Sequence, residues 1–336
     1  MDIHTFLQQD SPILDARSPS EFNHGHIPGA FSLPLFSDEE RKIVGTIYKQ
    51  EGKEPAVKKG LFFVGPKLLS FVEKAEEIAG QKKILRLYCA RGGMRSSSLA
   101  WLLQTAGFNC ILLDKGYKSF RNWALAQFHQ KYPFLVLGGF TGTGKTKLLH
   151  MLQNKKKQII DLEDIAKHKG SSFGDLEGFS QPSSEHFENI LAMKLAQLDP
   201  NCSVWIEDES RTIGSCYLPE GIWTQMRGAP FLWIEKSKEK RVSHLLSSYG
   251  NYHLEDLLKA TKKLSKKLGA VKVLEIGSKI QNGDLESAIS TVLEYYDKAY
   301  AYSCQKNPRN RINIPAKETD DALIEELLSA FSTNLT

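Results

Sequence analysis

Residues 139–146 read GFTGTGKT and directly follow the apolar run FLVLG at 134–138. The string matches G-x-x-x-x-G-K-[ST], a pattern that forms between a buried strand and a helix. The run KLLHMLQ at 147–153 supplies the helical pattern that the motif requires. A strand, a glycine-rich turn and a helix in this order form the building unit of a parallel sheet. The second half of the chain is therefore expected to be an α/β domain.

The same loop predicts a phosphate-binding site. Its main-chain N–H groups would cradle a di- or triphosphate, its lysine would reach the terminal phosphate, and the next threonine would bind Mg²⁺. No adenine- or guanine-specific motif such as NKxD accompanies it, which leaves room for a diphosphate that is not a nucleotide. The alternative is a glycine turn that only joins strand to helix. The predicted phosphate-binding residues are Gly139, Gly142, Thr143, Gly144, Lys145 and Thr146, the last of them also the predicted metal ligand.

Acidic residues end a second predicted strand. The segment SVWIEDESR at 203–211 places Glu207, Asp208 and Glu209 directly after an apolar run. This arrangement resembles a Walker B segment, whose carboxylates reach Mg²⁺ or its waters. The segment DLED at 161–164 also follows a predicted strand, and would either contact a substrate or cap a helix.

The length of 336 residues indicates two domains. A chain with 41% hydrophobic and 25% charged residues is typical of globular proteins and excludes collagen, disordered and disulfide-scaffold classes. No apolar run reaches the roughly 18–20 residues that cross a bilayer, and the start of the chain lacks a signal-peptide pattern. We therefore expect a cytoplasmic protein that does not bind membranes.

Alternating apolar and helical patterns place the domain boundary near 128–133, with one domain at 1–130 and the other at 131–336. In the first domain, strands are predicted at 13–17, 84–89 and 110–114, and helices at 96–107 and 123–132. In the second, strands are predicted at 134–138, 159–162, 203–207 and 231–235, and helices at 145–152, 184–198, 237–248, 254–268 and 284–302.

Cys89 ends an apolar strand and opens the loop CARGGMRS, which leads into a helix. Backbone N–H groups of such a loop converge on one point and favour an anion there, so the pKa of the thiol should be lowered. A thiolate in an anion-binding loop suits sulfur or selenium transfer, and would also suit a cysteine phosphatase. The loop residues around the cysteine are Arg91, Gly92, Gly93, Met94 and Arg95.

The remaining cysteines are scattered and include no CxxC pair, which is typical of a reducing compartment without structural zinc. Cys110, Cys202, Cys216 and Cys304 are interpreted as structural residues. Positive charge is concentrated at 236–275, which holds ten Lys or Arg against four Asp or Glu. This stripe is either a solvated helix face or a surface for phosphates of a nucleic acid. Its candidate RNA-binding residues are Lys259, Lys262, Lys263, Lys266 and Lys267.

Three segments, in order, resemble the blocks of a rhodanese domain. They are DARSPSEFNHGHIPGAFSLP at 15–34, CARGGMRS at 89–96 and LDKGYKSFRNW at 113–123. The resemblance implies that Cys89 is a chalcogen-carrying nucleophile. We interpret Asp15, Arg17 and the His24-Gly25-His26 stretch as residues that hold the domain together.

A rhodanese-like domain followed by a phosphate-loop domain resembles the bacterial tRNA 2-selenouridine synthases. The resemblance implies an N-terminal rhodanese-like parallel-sheet domain followed by a P-loop NTPase-like α/β domain with a helical C-terminal part. One departure is Ala90, where the family pattern leads us to expect tryptophan. The resemblance rests on EERKIVGTIYKQEG at 39–52, DLEDIAKHKGSSFG at 161–174, QPSSEHFEN at 181–189, WIEDESRTIG at 205–214 and YYDKAYAY at 295–302.

The family resemblance implies a two-stage reaction on the 2-thiouridine at the wobble position of tRNA. Geranyl diphosphate first alkylates the 2-thio sulfur, and selenophosphate then supplies selenium while the geranylated sulfur leaves. These two compounds would be co-substrates, Mg²⁺ would assist, and no tightly bound cofactor is expected. Three other hypotheses are an ATP- or GTP-dependent phosphotransferase with a regulatory or sulfurtransferase rhodanese domain, a non-enzymatic binding protein, and a plain thiosulfate sulfurtransferase.

Overall fold

The computed structural model describes residues 1–168, 180–249, 252–306 and 308–334. The end of the 161–174 segment lies outside these ranges. The chain divides into two compact units, one made of residues 1–128 and 183–193 and the other of residues 129–182 and 194–336. None of the described helices combines the length and the apolar character that crossing a bilayer requires.

The first unit contains a four-stranded parallel sheet. Its strands are paired in the order β2-β1-β3-β4, so that β1 and β3 are central. The arrangement confirms the parallel sheet predicted from the strand–helix–strand pattern at 84–114. Its strands are β1 (Ile13–Asp15), β2 (Ala30–Ser32), β3 (Ile84–Tyr88) and β4 (Asn109–Leu112).

Seven helices complete the N-terminal part of this unit. The helix expected at 123–132 begins instead at Tyr117 and ends at Gln127. It begins early because Gly116, at φ 56°, makes the turn that sets the next residues on a helical path. The helices are α1 (Ile3–Gln8), α2 (Pro19–His24), α3 (Asp38–Gln50), α4 (Lys53–Val64), α5 (Leu68–Ala79), α6 (Met94–Thr105) and α7 (Tyr117–Gln127).

The second unit contains a five-stranded parallel sheet with the order β11-β10-β5-β7-β6 and a separate two-stranded hairpin. The four strands predicted in this half are all present. The fifth was not predicted, because RINI is short and alternates polar with apolar residues, as an edge strand does. The strands are β5 (Phe134–Gly138), β6 (Gln158–Ile160), β7 (Val204–Glu207), β8 (Thr212–Ile213), β9 (Cys216–Tyr217), β10 (Phe231–Ile234) and β11 (Arg311–Ile314).

The C-terminal part of the second unit is helical, as predicted. The helix expected at 254–268 is split at Leu264, whose amide donates to the carbonyl of Thr261, three residues back instead of four. The side chain of Leu264 is fully buried in the cluster that these helices share. The helices of the second half are α8 (Lys145–Asn154), α9 (Leu162–Ala166), α10 (Ser184–Leu195), α11 (Glu220–Gly228), α12 (Lys238–Tyr249), α13 (Leu254–Lys263), α14 (Ser265–Leu268), α15 (Ala270–Gln281), α16 (Leu285–Lys306) and α17 (Asp320–Asn334).

The sequence predicts a domain boundary between residues 130 and 131, which would place helix α10 in the second domain. In the structure, its first ten residues, Ser184–Met193, belong to the first unit. Arg121 donates to the side chains of Asn189 and Glu188, each at 2.6 Å. The amide of Asn189 donates to the carbonyl of His26 at 2.9 Å, and the hydroxyl of Tyr117 donates to Glu185 at 2.8 Å. These charged and polar groups satisfy one another, so α10 completes the first unit.

A buried ion pair lies at the centre of the first unit. The side chain of Asp15 is fully buried and accepts hydrogen bonds from both Nε and Nη2 of the Arg17 guanidinium, the shortest at 2.6 Å from Nη2. The same nitrogen donates to the carbonyl of Gly25, and the hydroxyl of Tyr88 donates to Asp15 at 2.7 Å. The guanidinium also lies 3.8 Å from the centre of the Tyr117 ring. These contacts favour the structural interpretation of Asp15 and Arg17.

We predict that Arg17→Met lowers the free energy of unfolding of the first unit by about 3–5 kcal/mol, since it leaves the Asp15 carboxylate buried without its partner. Hydrogen exchange of the full-length chain, read by mass spectrometry, measures this because it resolves the amides of each unit. Arg41→Met is the control, because Arg41 forms a half-exposed pair with Glu21 and should cost under about 1 kcal/mol. Equal effects of the two variants would contradict the prediction.

Candidate active sites

The cysteine loop connects β3 to α6. Cys89 follows the last residue of β3 and is buried, and α6 begins five residues later at Met94. Its Sγ accepts a hydrogen bond from the Gly93 amide at 3.2 Å and another from the Ser96 hydroxyl at 3.2 Å. The sulfur therefore lies where the loop amides and the first turn of α6 converge, the geometry that the sequence predicts.

This geometry changes the acidity of the thiol. Burial by itself would raise the pKa of Cys89. The hydrogen bonds from Ser96 and from backbone amides of the loop together lower it by more than burial raises it, so the pKa falls below the ordinary value of 9.0. Burial without such donors raises the pKa of Cys110 to about 11. Burial also raises the pKa of Cys216, because it outweighs the single hydrogen bond from Ser215. Among these three thiols, Cys89 is the one whose surroundings favour the thiolate.

The segment after β4 supports the cysteine loop from behind. The Tyr117 amide donates to the carbonyl of Cys89 at 2.8 Å, and the Lys118 amide donates to the carbonyl of Ala90 at 3.1 Å. The approach is close because Gly116 has no side chain, since a Cβ there would lie 2.1 Å from the Cys89 carbonyl oxygen. The third rhodanese-like block, residues 113–123, therefore has a structural role: it binds and positions the main chain of the cysteine loop.

The two arginines of the loop have different surroundings. Arg91 is exposed, whereas Arg95 donates to Glu21 at 2.6 Å. Glu21 also accepts from Arg41. Burial would raise the pKa of Glu21, but these arginines lower it to about 2, so the carboxylate stays charged. Glu21 therefore compensates the positive charge of Arg95, whereas Arg91 has no such neighbour among the ion pairs of the described residues.

We predict that Ser96→Ala raises the pKa of Cys89 by about one unit, because it removes one hydrogen bond that stabilises the thiolate. The thiolate absorbance of the full-length chain, titrated against pH and corrected with Cys89→Ser, measures the shift. Ser97→Ala is the matched control, because the Ser97 hydroxyl donates to the Gly93 carbonyl. If Ser96→Ala and the wild type titrate together, the bond does not set the acidity of Cys89.

The predicted phosphate-binding loop occupies residues 139–144, and it lies between β5 and α8 as the motif requires. Gly142 and Gly144 have φ values of 84° and 85°, a region that favours glycine. A Cβ on Gly142 would also lie 3.1 Å from the carbonyl oxygen of Arg241, so the loop is closely packed there. The Lys145 ammonium donates to the Gly139 carbonyl at 3.1 Å, which holds it over the loop.

Two further cations, which the motif did not indicate, support this loop. Arg241 donates to the carbonyl of Thr141 at 3.1 Å and is itself held by two hydrogen bonds to Asp297. Lys236 donates to the carbonyl of Thr143 at 3.3 Å. Their contacts use main-chain carbonyl oxygens, which fixes the loop conformation without occupying its N–H groups.

Three carboxylates gather beside the loop. Glu163 from α9, Glu207 at the end of β7 and Glu209 each place one oxygen within 4.8 Å of the others. The Thr146 hydroxyl lies 3.4 Å from Glu163. Burial and the nearby Glu163 raise the pKa of Glu207 to about 8, and burial likewise raises that of Glu209. Like charges held this close favour a cation between them.

These residues fit a magnesium ion. Carboxylate and hydroxyl oxygens are the ligands that this hard cation prefers. The Oε1 atom of Glu207 is buried and has no hydrogen-bond partner within the described part of the chain, as expected of an atom that binds a ligand. The sequence indicated Glu207, Glu209 and Thr146, while for the segment containing Glu163 it left substrate contact and helix capping open. The structure shows the cap, since Asp161 caps α9, and it places Glu163 with the carboxylates.

Asp208 does not belong to this group. It accepts from Arg309 at 2.7 Å and from the hydroxyl of Tyr300, and Arg227 lies 3.7 Å away. The amide of Asp208 continues the pairing with Leu137, so the backbone is still extended. Successive side chains of an extended chain point to opposite sides, which separates Asp208 from its two neighbours. The structure therefore does not bring Asp208 together with Glu207 and Glu209, with which the sequence grouped it as a magnesium ligand.

Comparison with known proteins finds a family match for each half of the chain. Residues 3–122 match the model of the rhodanese-like domain, and residues 132–331 match that of the tRNA 2-selenouridine synthase AAA domain. The chain belongs to the tRNA 2-selenouridine synthase family. The matching domains agree with the α/β fold class predicted from the sequence.

Curated members of the family resemble the chain over most of its length. The tRNA 2-selenouridine synthase of Pseudomonas fluorescens is 36% identical and the match covers 90% of this chain and 91% of that protein. The protein of the same name from Nitrosomonas europaea is 31% identical, with 97% of each chain covered. That from Bordetella bronchiseptica is 40% identical over 74% of this chain and 68% of its own.

The candidate RNA-binding lysines of this family member lie on two helices instead of one. Lys259, Lys262 and Lys263 are exposed on α13, which ends at Lys263. Lys259 lies 3.5 Å from Asp256. Lys266 and Lys267 belong to α14, and their side chains lie outside the described part of the structure. Ala90, the departure from the family pattern, is half-buried in the cysteine loop.

We predict that Glu207→Gln raises the melting temperature of the magnesium-free chain at neutral pH by about 3 °C. Folding forces the buried Glu207 to take up a proton, because its pKa is raised to about 8, and glutamine does not carry this cost. The same variant should lose the stabilisation that added Mg²⁺ gives to the wild type. Thermal unfolding with and without Mg²⁺ measures both effects. Glu235→Gln, at an exposed carboxylate, should change neither. A variant that Mg²⁺ stabilises as strongly as the wild type would exclude this site.

Proposed function

We propose that the chain converts 2-thiouridine at the tRNA wobble position to 2-selenouridine through an S-geranyl-2-thiouridine intermediate. As a member of its family, the chain is a tRNA-modifying enzyme. Geranyl diphosphate and selenophosphate are the co-substrates of this proposal. One observation carries it: a single chain holds a thiol of lowered pKa in an amide-lined loop and a phosphate-binding loop beside three carboxylates.

The alkylation step is assigned to the second unit. The thiocarbonyl sulfur attacks the first carbon of the geranyl group, the carbon–oxygen bond to the diphosphate breaks, and the N3 proton of the base is released. The N–H groups of the loop and Lys145 bind the departing diphosphate, where negative charge develops. Magnesium held by Thr146, Glu163, Glu207 and Glu209 would neutralise part of that charge.

The selenium step is assigned to the first unit. Selenophosphate is an anion, and the loop between Cys89 and α6 offers it backbone N–H groups and the exposed Arg91. Selenium attacks C2 of the base, the geranylated sulfur leaves as a thiol, and water takes the phosphoryl group. Alkylation prepares this step, since an alkylated sulfur is a better leaving group than a thiocarbonyl sulfur. Cys89, with its lowered pKa, is the side chain on which this step depends.

The test is mass spectrometry of wobble nucleosides after incubation of 2-thiouridine tRNA with the full chain, geranyl diphosphate and selenophosphate. We predict selenouridine with the wild type and stalled geranyl-thiouridine with Cys89→Ser. Lys145→Ala should leave thiouridine, with alkylation slowed about 10²–10³-fold, because it removes a donor to the departing diphosphate. Cys110→Ser and Lys147→Ala are matched controls that should behave as the wild type, since Lys147 pairs with Asp320 at the surface.

The outcomes separate the proposal from its alternative. Unchanged thiouridine with the wild type would overturn the synthase proposal. Turnover of ATP or GTP with an RNA acceptor, unaffected by Cys89→Ser, would favour the phosphotransferase. Loss of both steps in Cys89→Ser would contradict the assignment of one step to each unit.

A further inference from the structure

A cavity of about 400 Å³ opens beside the phosphate-binding loop in the second unit. Thr141 of that loop and Glu209 of the carboxylate group both contribute to its lining, so the cavity adjoins the place where a diphosphate would bind. Its volume falls in the range of about 300–1,000 Å³ that is usual for sites of small ligands. The walls come from α11, α16 and the first residues of β10 and β11.

Aromatic rings and guanidinium groups alternate around this cavity. Arg309 lies with its Cζ atom 4.0 Å from the centre of the Phe231 ring, and Arg227 lies 5.5 Å from that of Trp223. Arg311, at the rim, lies 4.4 Å from the centre of the Trp233 ring. Ring faces bind planar bases by stacking, and guanidinium groups bind phosphates. The aromatic lining residues are Trp223, Phe231, Tyr296 and Tyr300.

Two of the guanidinium groups that line the cavity, those of Arg309 and Arg311, retain donors for a ligand. Asp208 accepts from Arg309 and lies near Arg227, and Arg211 pairs with Glu220. Arg311 is exposed, and no ion pair of this residue is found within the described part of the chain. The Nε atom of Arg309 is buried and has no hydrogen-bond partner among the described residues. A buried donor without a partner is costly, which favours an acceptor from a ligand.

We propose that this cavity binds one splayed-out nucleotide of the RNA substrate, with its base against the aromatic walls and its phosphate at Arg311. The inference rests on the proposed function, because it takes RNA as the substrate. Sequence-specific recognition of single-stranded RNA commonly uses unstacked bases held on aromatic rings or guanidinium planes. Exposed lysines such as those of α13 neutralise phosphates but supply no ring face. The cavity supplies both aromatic ring faces and a guanidinium group for a phosphate, and it lies next to the predicted phosphate-binding loop.

Photocrosslinking locates the nucleotide directly. The full chain is irradiated with an anticodon stem–loop RNA that carries 4-thiouridine at the wobble position, and the crosslinked peptides are identified by mass spectrometry. Crosslinks to the peptides that contain Trp223 or Tyr300 are expected. Crosslinks confined to other peptides would overturn the proposal. Excess ATP should leave the crosslink intact, and its disappearance would reassign the cavity to free nucleotides.

A charge variant tests the role of the rim. Arg311→Gln should weaken binding of the stem–loop RNA about tenfold, lower the slope of log affinity against log salt by about one, and raise the KM for tRNA more than it lowers kcat. Arg311→Lys should restore part of the affinity. Lys157→Gln is the matched control, because Lys157 is exposed before β6, at the opposite edge of the sheet. Wild-type affinity in a folded Arg311→Gln would contradict the proposal.

The two proposals fail separately. If the wild type makes selenouridine but crosslinks elsewhere, the cavity assignment falls and the function stands. If the crosslink maps to the cavity but no nucleoside changes, the nucleotide site stands and the synthase proposal falls.

Discussion

Parallel strands all end at the same edge of their sheet, and both candidate sites of this chain depend on that constraint. In each unit a central strand, β3 or β5, runs into a glycine loop and then a helix. The N–H groups of the loop and of the helix start point outward at this edge, because they have no partners within the helix. In the first unit they surround Cys89, and in the second they form the phosphate-binding loop. The same backbone arrangement therefore supplies two candidate anion-binding places with different side chains.

The side chains at these edges carry a cost in stability. Glu163, Glu207 and Glu209 repel one another in a region that already disfavours charge, and the raised pKa of Glu207 reflects this. Burial of Cys89 alone would raise its pKa, and several donors are needed to reverse the effect. By contrast, the buried pair of Asp15 and Arg17 is satisfied by its neighbours. Buried charges that are fully paired with each other are typical of residues that stabilise a fold. Buried groups whose pKa values are strongly shifted are typical of functional sites.

Residues whose roles depend on local chain geometry were predictable from the sequence. Cys89, Lys145 and the glycines of both loops lie where their motifs place them, because a strand, turn and helix are formed by neighbouring residues. Roles that depend on distant partners were not predictable. Glu21 lies far in sequence from Arg95, and Arg309 lies far from Asp208, yet these pairs decide which charges remain available. The edge strand β11 was missed for a related reason, since its short polar-alternating run becomes a strand only against β10.

Helix α10 makes the first unit discontinuous in sequence. Chains emerge from the ribosome in order, and N-terminal domains commonly fold before the rest has been made. Here the partners of Arg121 and Tyr117 on α10 are translated only after β5, α8 and β6. The cysteine-bearing unit therefore cannot reach its final form until much of the phosphate-binding unit exists. The loop that carries the thiol of lowered pKa is thus completed late in translation, when the predicted phosphate-binding segment has already been synthesised.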